Sequence, residues 1–129
     1  MTPVLLLDTH AALWWWRGSP LLSPLARTAI TDAVHPWVSV ASAFEVAIKL
    51  RVGKMNDIGD PSLRFPALMI EHRFVPLLVT QAHALRAGRL PGDHRDPFDR
   101  LIAAQALEER LTVVTRDPAF AAFGCRVLW

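Results

Sequence analysis

Four acidic residues stand where a sheet would bring them together. Asp8 directly follows the apolar run Val4–Leu7, and Asp117 follows Thr112–Thr115 with a single arginine between. Asp99 falls in the first turn of a helix opened by Asp96-Pro97, and Glu45 lies about one helical turn beyond the run Trp37–Val40. If these runs are strands of one sheet, the four carboxylates meet at the same edge. Carboxylates held that close repel and raise one another's pKa unless a cation sits among them. Hard divalent ions such as Mg²⁺ or Mn²⁺ take oxygen ligands of this kind, with waters and substrate phosphates completing the shell.

Each acid also has a purely structural use. Asp117 before Pro118 is a good helix N-cap, and Asp8 suits the cap of a helix running through Trp14. Asp99 is three residues after Asp96, which resembles a capping box and suits the helix dipole. Glu45 sits among Ala43, Phe44, Val46, Ala47 and Ile48, a segment that reads as buried nearly all round. A carboxylate there needs a cation or several donors, with Lys49 at i+4 as one structural partner.

Other side chains fall near these acids. Arg95, Arg100 and Arg116 flank them, either to meet substrate phosphates or to neutralise the acids. His10 and His94 are nearby, and a loop histidine is ordinarily just solvated. Trp14-Trp15-Trp16 suggests base stacking. Consecutive helical residues point about 100° apart, so they form no single platform, and core or interface roles are the stronger reading. Cys125 reads as a small buried apolar residue.

The elements that must position these residues alternate. Apolar runs at Val4–Leu7, Trp37–Val40, Val75–Val79, Thr112–Thr115 and Arg126–Trp129 read as strands, unalternated as in a sheet covered on both faces. Ser23-Pro24 opens a helix over Leu25–Ala33, and Ser42–Arg51 is helical and stopped by Gly53. Lys54–His72 is read as helical despite Pro61 and Pro66, and Thr80–Ala87 as a helix ending at Gly88. Asp96-Pro97 opens the strongest helix, Phe98–Arg110, and Asp117-Pro118 a short last one ending near Gly124. Such alternation predicts an α/β fold with a parallel five-stranded sheet and helices on both faces. Ligands of such sheets bind beyond the carboxyl ends of the strands.

Composition narrows the class. The 129 residues suit one domain, here taken as 1–129, and 52% listed apolar residues argue against disorder. No apolar run approaches the roughly 20 residues of a membrane helix, and no secretory leader is expected. One cysteine forms no internal disulfide, and no Cys/His spacing suits zinc. A cytoplasmic protein is the expectation. The net charge of +2 is bland, but 12 of the 14 basic residues are arginine, whose fork suits phosphate. That bias also arises from genome base composition.

The sequence resembles the PIN-domain ribonucleases, and within them the VapC toxins of bacterial toxin–antitoxin pairs. The matching pieces are Val4-Leu5-Leu6-Leu7-Asp8-Thr9-His10, Val38-Ser39-Val40 leading to Glu45, the block His94 to Ala106, and Val113-Val114-Thr115-Arg116-Asp117. The block Asp-Pro-Phe-Asp-Arg-Leu-Ile-Ala-Ala-Gln-Ala is the specific part, and the likeness spans essentially the whole chain. The resemblance implies that Asp8, Glu45 and Asp99 bind Mg²⁺, with Asp117 the fourth, more variable acid and Mn²⁺ a substitute. It implies Asp96 as mainly an N-cap, and Thr9 and Thr115 as small hydroxyl residues beside the site. It further implies an RNA substrate, an antitoxin partner covering the site, and a homodimer.

The chemistry agrees with the residues. Hydrolysing an RNA phosphodiester needs a deprotonated water and a shield for phosphoryl charge, both of which a carboxylate-held Mg²⁺ supplies. No Cys–His, Ser–His or Gly-rich phosphate loop competes. Two rivals remain. A receiver-like phosphoacceptor domain also clusters acids at strand ends, although Lys49 and Lys54, the only lysines, are badly placed for it. A non-catalytic binding module would keep the acids for structure alone.

Overall fold

Leu5, Leu6 and Leu7 are all buried, yet they face two different cores. Side chains alternate along a strand. Leu5 and Leu7 join one apolar cluster, while Leu6 joins the other. In a computed structural model, which describes residues 2–55 and 59–129, this run is the central strand of a covered sheet.

The strands are β1 (Leu5–Leu7), β2 (Trp37–Ser39), β3 (Val75–Leu77), β4 (Thr112–Val114) and β5 (Val127–Leu128). All pairings are parallel, in the order β3-β2-β1-β4-β5. The expected α/β fold with a five-stranded parallel sheet is therefore found. β1 and β4 are wholly buried, whereas the edge strands β3 and β5 are only partly so.

Helices are α1 (Thr9–Arg17), α2 (Pro24–Asp32), α3 (Val40–Arg51), α4 (Pro61–Glu71), α5 (Gln81–Arg89), α6 (Pro97–Glu109) and α7 (Pro118–Ala122). Residues of α1, α2 and α4 pack with Leu5 and Leu7, and residues of α5, α6 and α7 pack with Leu6 and Val113. The strands are shorter than the apolar runs, and β2 is cut short because a helix starts where it ends. Ser39 closes β2 and at once caps α3, its hydroxyl accepting from the Ala41 N–H at 3.0 Å. Val40 is thus helical rather than extended.

Other boundaries also move. α5 runs through Gly88 to Arg89 instead of stopping at the glycine. A helical glycine costs only about 1 kcal/mol, and the helix is anchored at its start by a reciprocal box between Thr80 and His83. Of the segment Lys54–His72, only Pro61–Glu71 is helix, and residues 56–58 lie outside the described residues. Pro61 takes the first helical position, and the exposed Pro66 sits inside the helix at the loss of one backbone bond. Among the described residues, no helix is long and apolar enough to cross a membrane.

Candidate functional site

The strand order reverses between β1 and β4, and a crevice opens at their carboxyl ends. Leu7 is in register with Val114, so Asp8 and Thr115 follow side by side. Asp8 caps α1, its Oδ1 accepting from the Ala11 N–H at 2.8 Å. Thr115 Oγ1 donates to the other oxygen, Oδ2, at 2.5 Å. The same hydroxyl accepts from the Asp117 N–H at 3.0 Å, which turns the chain after β4 towards the crevice. Asp117 caps α7 through Oδ1 and the Ala119 N–H at 2.9 Å.

Glu45 arrives from α3 and is only 2% exposed. Its Oε1 accepts from Thr9 Oγ1 at 2.6 Å, and its Oε2 from Lys49 Nζ at 2.7 Å. Thr9 has one hydroxyl proton, spent on Glu45, so Ser42 donates to Thr9 across 2.8 Å. The expectation that α3 is buried nearly all round is corrected: Phe44 is 63% exposed and stands edge-on to the ring of Phe98. Glu45 and Ser42 share the buried face.

Asp99 comes from α6. Asp96 caps that helix, its Oδ1 accepting from the N–H groups of Phe98 and Asp99. The Asp99 side chain does not return to the cap. It meets His94 Nε2 at 2.8 Å, so the half-buried His94 is bonded and not merely solvated. Arg100 fixes the preceding loop, its guanidinium donating to the carbonyls of Ala87, Leu90 and His94. It also lies over the Phe123 ring. Arg100 therefore serves as a structural clamp, and the substrate role considered for it is withdrawn.

Asp8, Glu45, Asp96, Asp99 and Asp117 line one cleft of about 360 Å³, with His10, Trp14, Lys49, Arg116 and Pro118. Burial pushes the Asp8 carboxyl up to about 6, against the hydrogen bonds from Thr115 and Ala11 that lower it. Burial likewise pushes Asp99 up to about 6, opposed by its bond to His94, while neighbouring acids raise both. Carboxylates that resist ionisation together are what a divalent cation relieves. The donor set, hard oxygens with one imidazole beside them, fits such an ion: single ligand atoms of His94, Asp99 and Asp117 lie within 4.8 Å of one another.

The remaining candidates divide. Arg116 is exposed at the cleft and stacks over Trp14 at 4.6 Å, so it stays available to phosphate. Arg95 is exposed and does not line the cleft. Trp14 is core, packed against Trp129 and His10, with an edge in the cleft. Trp15 and Trp16 turn to His72 and to Phe65 and Phe74. Cys125 is buried, as expected, and burial pushes its thiol up to about 11.

A family model for the PIN domain matches residues 5–124. The chain belongs to the PIN-domain family. Ribonuclease VapC22 of Mycobacterium tuberculosis is 36% identical over 121 residues, covering 91% of this chain and 88% of that protein. The fold is also that of VapBC from Salmonella typhimurium solved with DNA, with a TM-score of 0.70, 19% identity and coverage of 98% and 97%. VapBC2 from Rickettsia felis, bound to a promoter DNA fragment, gives 0.68 at 15% identity, covering 97% of each chain. FitAcB from Neisseria gonorrhoeae gives 0.65 at 20%, covering 98% and 97%.

Membership in this family removes the receiver-like reading on topological grounds. A receiver sheet runs 2-1-3-4-5, whereas this PIN domain runs β3-β2-β1-β4-β5. Lys49 lines the cleft, so the placement of the lysines does not itself exclude a receiver. Ser42, which bonds Thr9, has no site role among the sequence expectations, and His94 and Lys49 bond Asp99 and Glu45 directly. Ser42 precedes Glu45 by three residues, one helical turn, and that spacing was the available signal.

Proposed function

We propose that this PIN domain is a metal-dependent endoribonuclease, the toxin of a toxin–antitoxin pair, cleaving RNA with water as the nucleophile. The single observation that carries this reading is the convergence of Asp8, Glu45, Asp99 and Asp117 on one cleft at the β1/β4 reversal. The 36% identity to a VapC ribonuclease supports the substrate class.

In this reading Asp8, Glu45, Asp99 and Asp117 hold Mg²⁺, or Mn²⁺ in its place. When bound, such an ion lowers the pKa of water and shields charge on the phosphoryl oxygens. Thr115 and Thr9 orient Asp8 and Glu45 through their hydroxyls. Arg116, propped on Trp14, draws the phosphate backbone to the cleft mouth. Lys49 and the arginines leave a basic frame around an acidic pocket, which suits a polyanionic substrate. Cys125, the only cysteine, is buried against Ala103 of α6 and does not line the cleft, which leaves water as the nucleophile of this reading.

The partner reading is supported by a toxin–antitoxin complex from Klebsiella pneumoniae among the structures of this fold. A small antitoxin would cover the acidic cleft, and the exposed Leu63, Ile70, Leu78 and Leu85 give apolar surface to a partner or second copy. The test is sequencing of RNA ends after brief induction, with Asp99→Asn as control. Discrete new ends made by the parent and absent from the control support the proposal. Identical ends in both overturn it.

A further inference from the structure

His94 is held in place more firmly than a loop histidine needs to be. Its carbonyl accepts from Arg100 Nη1 at 2.9 Å, and its ring stands edge-on to Phe123 with centroids 5.8 Å apart. That leaves Nε2 facing Asp99 Oδ2 at 2.8 Å, and a ligand atom of Asp117 falls in the same group within 4.8 Å. An octahedral ion with bonds of about 2.1 Å places neighbouring ligand atoms about 3 Å apart. The His94–Asp99 separation already matches that edge, so an ion in place of the shared proton needs no rearrangement of either side chain.

We propose that His94 is itself a metal ligand through Nε2, completing a mixed nitrogen–oxygen site with Asp99 and Asp117. This rests on the metal reading above and goes beyond the four acids. Glu45 and Asp8 already have both oxygens engaged by protein donors. Asp99 and Asp117 each have one oxygen without a protein donor among the described residues. The two acids with an oxygen to spare are thus the ones grouped with the His94 imidazole. An imidazole suits first-row transition ions, whereas an all-oxygen shell suits Mg²⁺. His94 therefore tilts the cleft from Mg²⁺ towards Mn²⁺.

The test uses Mn²⁺ as a paramagnetic probe on the purified full chain. Pulsed EPR of the Mn²⁺-loaded protein is expected to show coupling to a directly bound nitrogen, which changes isotope pattern on ¹⁵N-histidine labelling. His94→Gln is expected to remove that coupling and weaken Mn²⁺ binding by about tenfold or more, with a smaller loss for Mg²⁺. His10 and Lys49 line the same cleft and are the competing nitrogens. Coupling that survives His94→Gln, or that vanishes in His10→Gln, overturns the assignment. Mn²⁺ binding with no nitrogen coupling overturns it too, while leaving the acidic site standing. Failure of the parent protein to bind Mn²⁺ at all overturns the metal reading itself.

Discussion

Thr115 donates its hydroxyl proton to Asp8 across a separation of 107 residues, at 2.5 Å. One short bond thereby ties the end of β4 to the end of β1, and the same oxygen takes the Asp117 N–H. Thr115→Val keeps the shape and removes both contacts. It is expected to cost about 1–3 kcal/mol in urea unfolding and to weaken Mn²⁺ binding by about tenfold or more. Thr115→Ser restores both. Equal metal affinity in the valine and serine variants would sink the orienting role.

Asp8→Asn removes a charge that is buried at 6% exposure and keeps an acceptor for the Ala11 N–H. Cleavage is expected to be lost with the fold intact. In metal-free protein at pH 7 the variant melts no lower than the parent, since an unfavourable buried charge has gone. If purified Asp8→Asn cuts RNA as fast as the parent, the site is misassigned.

Burial pushes the Asp8 and Asp99 carboxyls up to about 6 in the folded protein, from an ordinary value of 3.8. Between those values the folded state binds more protons than the unfolded one, so stability falls as pH rises. These two groups therefore destabilise the metal-free protein progressively from about pH 4 to 6, and their full cost is present above 6. A bound cation competes with those protons. Melting curves are expected to show a larger Mn²⁺-induced gain at pH 7.5 than at pH 5. A gain independent of pH would contradict the assignment of these two acids as ligands.

Two arginines near the site are expected to behave in opposite ways. Arg100 satisfies three backbone carbonyls around the loop before α6. Arg100→Ala should lose about 2 kcal/mol or more of stability, and Arg100→Lys should recover only part, lacking the fork. Arg116 is exposed and makes a stacking contact, so Arg116→Ala should leave melting nearly unchanged. It should lower the salt slope of RNA binding by about 0.7, read by fluorescence anisotropy on the Asp8→Asn background. Unchanged slope with unchanged affinity would remove Arg116 from the interface.

Much of this fold was legible locally. Unbroken apolar runs located each strand, and the pairs Ser23-Pro24, Asp96-Pro97 and Asp117-Pro118 located helix starts, all with caps formed. Boundaries were less legible where one residue serves two elements, as Ser39 does in ending β2 and capping α3. Capping and ligand roles of an acid do not exclude each other, because a carboxylate has two oxygens. Asp117 caps α7 with Oδ1 and still borders the cleft.

Acid type and position after apolar runs are local facts, so the residues able to hold a hard cation can be picked out along the chain. Which of them share a cleft, and what else lies there, follows from tertiary packing. His94 gained its role from a fixed loop, Lys49 from the turn of α3, and Arg100 lost its own to three carbonyls. The direction in which a side chain points depends on how helices settle on the sheet. That packing comes from apolar burial summed over the whole chain, and no short window of sequence contains it.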